Sequence, residues 1–280
     1  MKVGMNLLLW TTHVTAEHFP LLGKLKQVGY DGVELPLFEG DAAHYQSIRK
    51  ELDQAGLSCT TVTVATADAN PVSPEASVRQ KGLQRLKWAI EMTSILGGEN
   101  LCGPYHSALG VFTGTGPTED EKKWAAEVLR SAAEEAQKAR VMLALEYLNR
   151  FECYFLTTAR DTHAFVKEVN HPHCRLMYDT FHANIEEKQI APTIAAIADS
   201  MVHVHISEND RGTPGTGHVH WEETFRTLKQ VGYDGWLVIE AFGRALPDLA
   251  AATKVWRDLF PAAEEVYTQG FQFIKEQWAS

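Results

Sequence analysis

Four polar side chains stand where short apolar runs end. Glu146 closes Val-Met-Leu-Ala-Leu-Glu, Asp179 closes Arg-Leu-Met-Tyr-Asp, His205 lies near the end of Met-Val-His-Val-His-Ile, and Glu240 closes Trp-Leu-Val-Ile-Glu. A charged group on a buried strand is costly unless it is paired or holds a metal ion. Three carboxylates and one imidazole form a hard, oxygen-rich donor set. It suits an octahedral Mn²⁺, Mg²⁺ or Co²⁺ ion better than structural zinc, and it leaves positions open for neighbouring substrate oxygens. Taken singly, each residue reads equally well as a satisfied strand-end carboxylate or a core histidine. Four of them at equivalent places on consecutive strands are much harder to explain that way.

Such a set favours proton transfer beside a carbonyl. A Lewis acid at the carbonyl oxygen stabilises the enediolate as it forms, while a carboxylate removes the proton as general base. Inverting the carbon needs a second group on the opposite face. Glu146 and Glu240, from different sides of the metal, meet that demand; an aldose–ketose isomerase needs only one of them.

The elements that must position these residues follow from periodicity. Strands are expected at Val3–Leu9, Gly32–Pro36, Ser58–Ala65, Asn100–Gly103, Val141–Glu146, Arg175–Asp179, Met201–Ile206 and Trp236–Glu240. Helical spacing fills the gaps, for example over Ala42–Ala55, Pro74–Leu96, Thr118–Ala139, Thr157–Val169 and Trp221–Val231. This alternation predicts an α/β protein, a (β/α)₈ TIM barrel occupying residues 1–280 as a single domain, with its active site at the C-terminal strand ends. An open doubly wound sheet is disfavoured because no GxGxxG follows an early strand. Leu25-Lys26-Gln27-Val28-Gly29-Tyr30-Asp31-Gly32 recurs as Leu228-Lys229-Gln230-Val231-Gly232-Tyr233-Asp234-Gly235, one helix-to-strand hand-over used twice. The Gly-rich stretches Pro104–Pro117 and Glu208–His218 follow strands, where barrel enzymes place catalytic loops.

Bulk properties narrow the partners. The 280-residue chain carries a net charge of -10, which argues against a nucleic-acid partner. No apolar run is long enough for a membrane span. The four cysteines, Cys59, Cys102, Cys153 and Cys174, form no CxxC and read as free thiols in a reducing cytoplasm.

Other candidates have simpler readings. His13, His18 and His44 are expected to be solvated, and His218 and His220 to cap or flank a helix. His106 is a candidate pocket-lining residue. Trp10, closing the first strand, is a candidate for the sugar's apolar face or for ordinary core. Glu119-Asp120-Glu121 suits a helix N-terminus. Trp124 and Trp256 read as helix packing; exposure of either would instead indicate a subunit interface.

Glu146-Tyr147-Leu148-Asn149-Arg150-Phe151-Glu152 resembles the E-x-x-N-R-F-E signature of the ketose 3-epimerases, the tagatose and psicose 3-epimerase group of the xylose-isomerase-like barrels. Asp179-Thr180-Phe181-His182-Ala183-Asn184-Ile185-Glu186-Glu187 resembles that group's D-T-F-H-x-N-I-E-E. His203–Arg211 resembles its H-x-H…R, and Gly232–Gly235 leading to Glu240-Ala241-Phe242 its G-Y-D-G…E-x-F. The resemblance implies that Glu146, Asp179, His205 and Glu240 bind a divalent metal, most often Mn²⁺, and that Glu146 and Glu240 are the catalytic acid/base pair. It assigns Glu152, His182 and Arg211 to substrate binding, and it implies a sugar substrate and a homodimer or homotetramer. Ala183 and Ala241 depart from the group's Met and Pro, which bears on substrate choice. Alternatives are an aldose–ketose or hydroxypyruvate-type isomerase, a keto-inositol dehydratase, an endonuclease-like phosphodiesterase and a non-catalytic sugar-binding barrel. The phosphodiesterase needs metal ligands on the early strands, whose ends at Trp10, Pro36, Ala65 and Gly103 offer none.

Overall fold

The computed structural model describes residues 1–280. Eight parallel strands close in sequence order: β1 (Lys2–Asn6), β2 (Gly32–Pro36), β3 (Ser58–Val62), β4 (Asn100–Gly103), β5 (Met142–Leu145), β6 (Cys174–Asp179), β7 (Met201–Ile206) and β8 (Trp236–Ile239), with β8 hydrogen-bonded to β1. Between and after them run α1 (Phe19–Val28), α2 (Ala42–Ala55), α3 (Ala76–Leu96), α4 (Glu119–Ala139), α5 (Ala159–Val169), α6 (Thr180–Glu186), α7 (Ile190–Ile197), α8 (Trp221–Gln230), α9 (Pro247–Thr253) and α10 (Ala263–Ala279). The expected barrel is the one observed.

Local chemistry explains the boundaries. Thr118 accepts from the Glu121 amide and Glu121 returns a bond to the Thr118 amide, a capping box that starts α4. Glu121 is buried and also accepts from the Tyr154 hydroxyl at 2.6 Å, so the acidic cluster contributes more than a dipole effect. In the repeated hand-over, Gly29 and Gly232 both sit at positive φ, 118° and 71°, where a side chain would be strained.

The first strand is shorter than periodicity suggests. The Asn6 side chain accepts from the Leu8 amide at 2.8 Å and turns the chain into a 3₁₀ turn over Leu7–Leu9. Trp10 is thereby carried past the barrel mouth and packs against Tyr267 of α10, with ring centroids 6.0 Å apart. Leu8 lines the mouth in its place. Trp124 packs under the Arg79 guanidinium, as expected of a packing residue. Trp256 does not: it follows α9 outside any helix and is 69% exposed.

Candidate metal and catalytic site

β5, β6, β7 and β8 bring Glu146, Asp179, His205 and Glu240 together at one end of the barrel. Glu146 and Glu240 lie one residue beyond their strands, and their amides extend the ladder to Gly103 and Ile206 oxygens. One atom from each of the four side chains lies within 4.8 Å of the others, and all four residues are buried. His205 Nδ1 is 3.3 Å from Glu240, 3.5 Å from Asp179 and 3.8 Å from Glu146. It is buried and has no hydrogen-bond partner. A buried ring nitrogen left without a partner among three carboxylates fits a cation, as does the excess of negative charge over the single nearby guanidinium.

The electrostatics follow from crowding. Burial, then the neighbouring Glu240, pushes the Glu146 carboxyl well above the usual range. Burial would raise Asp179 as well, but Arg211, His182 and His205 outweigh it and hold that carboxyl low. Asp179 Oδ1 caps α6 by accepting from the Phe181 amide at 2.6 Å, which leaves Oδ2 facing the cluster.

The three expected substrate residues line the same cavity. His182 Nδ1 accepts from the Asn149 amide at 2.9 Å, while its Nε2 lies 3.0 Å from Arg211 Nη2 and 3.6 Å from Glu146. Burial lowers its pKa to about 3, which keeps the ring neutral. Arg211 is held in the left-handed region at φ 69°. Its Nη1 reaches Glu240, Asp179 at 3.3 Å and Ser207 at 3.0 Å, while its guanidinium lies 3.8 Å from the centre of the Phe181 ring. Half-buried Glu152 accepts from Asn149 Nδ2 at 2.8 Å, and burial raises its carboxyl.

Several candidates lie elsewhere. His106 is fully buried beneath the site, where its Nε2 bonds the Glu146 carbonyl at 2.9 Å and braces that strand end rather than lining the cavity. His13 and His44 stack on each other at 4.4 Å, and His218 and His220 are exposed. Ala183 and Ala241 belong to the hydrophobic core rather than to the cavity wall.

The sequence reading missed Glu34. It lies inside β2 with no exposed surface, aligned with Asn6 of β1 and Thr60 of β3. Together with Cys102, His203 and the far side of His205 it forms a second polar cluster below the mouth. Burial would raise its carboxyl, but His205 and His203 hold it well below the usual range.

A family model described as xylose isomerase-like TIM barrel matches residues 22–277. A ketose 3-epimerase of Arthrobacter globiformis is 32% identical over 281 aligned residues, covering 99% of this chain and 96% of its own. An L-ribulose 3-epimerase of Methylomonas sp. strain DH-1 is 31% identical over 99% of this chain and 98% of its own. The solved D-allulose 3-epimerase from Methylomonas sp., in complex with D-allulose, superposes with a TM-score of 0.93 at 28% identity, covering 99% of this chain and 97% of that one.

Proposed function

Since the chain belongs to the xylose isomerase-like TIM barrel family, and within it to the ketose 3-epimerases, we propose that it inverts C3 of an unphosphorylated ketose with Glu146 and Glu240 as the acid/base pair. The observation that carries this reading is the pair itself: two carboxylates from β5 and β8 flank His205 Nδ1 and line one cavity.

A divalent ion held by Glu146, Asp179, His205 and Glu240 supplies a Lewis acid for the substrate carbonyl. One glutamate removes the C3 proton, and the C–H electron pair moves into the C2–C3 bond of the enediolate. The other glutamate returns a proton to the opposite face of C3, so one proton leaves and one arrives. His182 and Arg211, in contact through Nε2 and Nη2, face the substrate oxygens together. Arg211 Nε is buried without a partner, which suits a second substrate oxygen. Glu152 accepts from a substrate hydroxyl.

The choice of a free sugar rests on the wall of the cavity. Leu8, Phe38, Val62, Leu109, Leu148 and Phe242 make most of it apolar, and its only cation, Arg211, is already engaged by Asp179 and Glu240. A phosphate desolvated there would meet three carboxylates and share with them the one guanidinium. Mn²⁺ is proposed as the ion, with Co²⁺ or Mg²⁺ as substitutes. A single domain in a homodimer or homotetramer is proposed as well, supported by the exposure of Phe151 at 71% and Trp256 at 69%. Four buried free thiols support a cytoplasmic location.

The test is to incubate Mn²⁺-loaded protein in D₂O with free ketoses and ketose phosphates and to read deuterium by position. The expected result is label at C3 together with the C3 epimer, for free ketoses only. Label at C1 with aldose formation would replace this reading by an isomerase.

A further inference from the structure

His205 has two ring nitrogens, and the proposed metal site uses only Nδ1. The other, Nε2, lies 2.8 Å from Glu34 Oε1. Every polar group around Glu34 is a donor or able to act as one. Oε1 also accepts from Asn6 Nδ2 at 2.9 Å; Oε2 accepts from Thr60 Oγ1 at 2.8 Å and Cys102 Sγ at 3.1 Å, and lies 2.9 Å from His203 Nε2. An ionised carboxylate is an acceptor only, so it is the one side chain that can satisfy such a ring.

The spacings around Glu34 are shorter than those of a tetrahedral ligand set. Nitrogen and oxygen ligands of a tetrahedral zinc, at about 2.1 Å from the ion, stand roughly 3.4 Å from each other. The contacts of Glu34 with His205, Asn6 and Thr60 at 2.8–2.9 Å are those of hydrogen bonds, while His203 Nε2, 2.9 Å away, makes none.

We propose that Glu34 is a positioning residue for the epimerase. It accepts a hydrogen bond from the Nε2–H of His205 and so fixes the proton there, leaving Nδ1 to present its lone pair to the metal. Through Asn6, whose Nδ2 also stands 3.4 Å from Glu240 Oε1, it steadies a second ligand at the same time. A carboxylate behind a ligating imidazole fixes the ring's tautomer and orientation and raises its basicity. This inference rests on the reading that His205 and its three partners bind the ion.

The experiment compares wild type with Glu34→Gln. Mn²⁺ affinity is measured by calorimetry on metal-stripped protein, alongside the melting temperature of that protein. The expected result is affinity reduced about 10–100-fold, the range for such outer partners, because the amide turns an NH₂ toward donors. Unchanged affinity with only a lower melting temperature would show a purely structural role and overturn the proposal. A second measurement needs no substitution at Glu34. In Mg²⁺-saturated protein labelled with ¹⁵N-histidine, the His205 signals are assigned by their loss in His205→Gln. Its proton is expected on Nε2, and a proton on Nδ1 overturns the proposal even if Glu34→Gln does not fold. If instead Asp179→Asn and His205→Gln both keep wild-type Mn²⁺ affinity, the metal reading itself is what has failed.

Discussion

The barrel holds two buried clusters of potential metal ligands, one at the mouth and one just below it, and His205 belongs to both. At the mouth its Nδ1 stands 3.3–3.8 Å from three carboxylates and has no hydrogen-bond partner. Below, its Nε2 stands 2.8 Å from Glu34, whose oxygens are surrounded by donors. Composition does not distinguish a ligand set from a satisfied buried cluster; the remaining lone pairs do. At the mouth His205 Nδ1 has no partner among three carboxylates, whereas below four donors already surround Glu34 and only His203 Nε2 is left without a bond.

The largest effect should come from the mouth. Glu146→Gln and Glu240→Gln keep the shape of each side chain but remove its base. Net epimerisation should fall by at least the ~10²–10⁴-fold attributed to general-base catalysis. Each variant should retain exchange on one face only, seen as C3 deuterium without inversion, and the two should label opposite epimers. If one variant is dead and the other still interconverts its sugars, a two-base mechanism is excluded.

Next in size is a contrast along β7. His203 and His205 are two residues apart and both point into the barrel, but only His205 reaches the mouth. His205→Ala should weaken Mn²⁺ binding by more than ~100-fold, because it deletes a ligand rather than a ligand's partner. His203→Ala should fall near the lower end of the ~10–100-fold range for outer partners. Equal losses in calorimetric titrations would erase the distinction between the clusters.

This contrast also marks how far the sequence could be read. Glu146, Asp179, His205 and Glu240 were visible because each stands at or next to the end of an apolar run, and strand ends in a barrel converge. Glu34 was hidden because it sits in mid-strand, in Gly-Val-Glu-Leu-Pro, where one charge looks like an ordinary solvent-facing position. A signal was present: in a parallel barrel both faces of a strand are covered, so a mid-strand carboxylate must have an inward partner. The paired histidines of His203-Val204-His205 were its counterpart. Trp10 was misplaced for a different reason, since the Asn6–Leu8 bond that ends β1 is a local side-chain effect that hydrophobic periodicity does not register. The acidic start of α4 was legible as a helix N-terminus, but the bond from Tyr154 across to Glu121 depends on packing between distant segments.

The smallest expected effect tests whether the lower cluster is closed to metals. Cys102 is fully buried, and its thiol donates to Glu34 at 3.1 Å with His205 Nε2 3.9 Å away. If that thiol serves only as a donor, Cys102→Ala removes one weak bond among several to the same carboxylate. The expected cost is about 1 kcal/mol, the net value of an ordinary hydrogen bond, and it should appear as a small drop in melting temperature. Metal stoichiometry should not respond. Mn²⁺ should titrate as a single ion per chain in both proteins, and so should Cd²⁺, a thiophilic ion chosen because it would seek Cys102 if the sulfur were free. A second Cd²⁺ equivalent in wild type that disappears in Cys102→Ala would show that protons below the mouth give way to an ion. The two clusters would then be neighbouring metal sites joined through one imidazole, and Glu34 would be a ligand competing for His205 rather than the group that orients it.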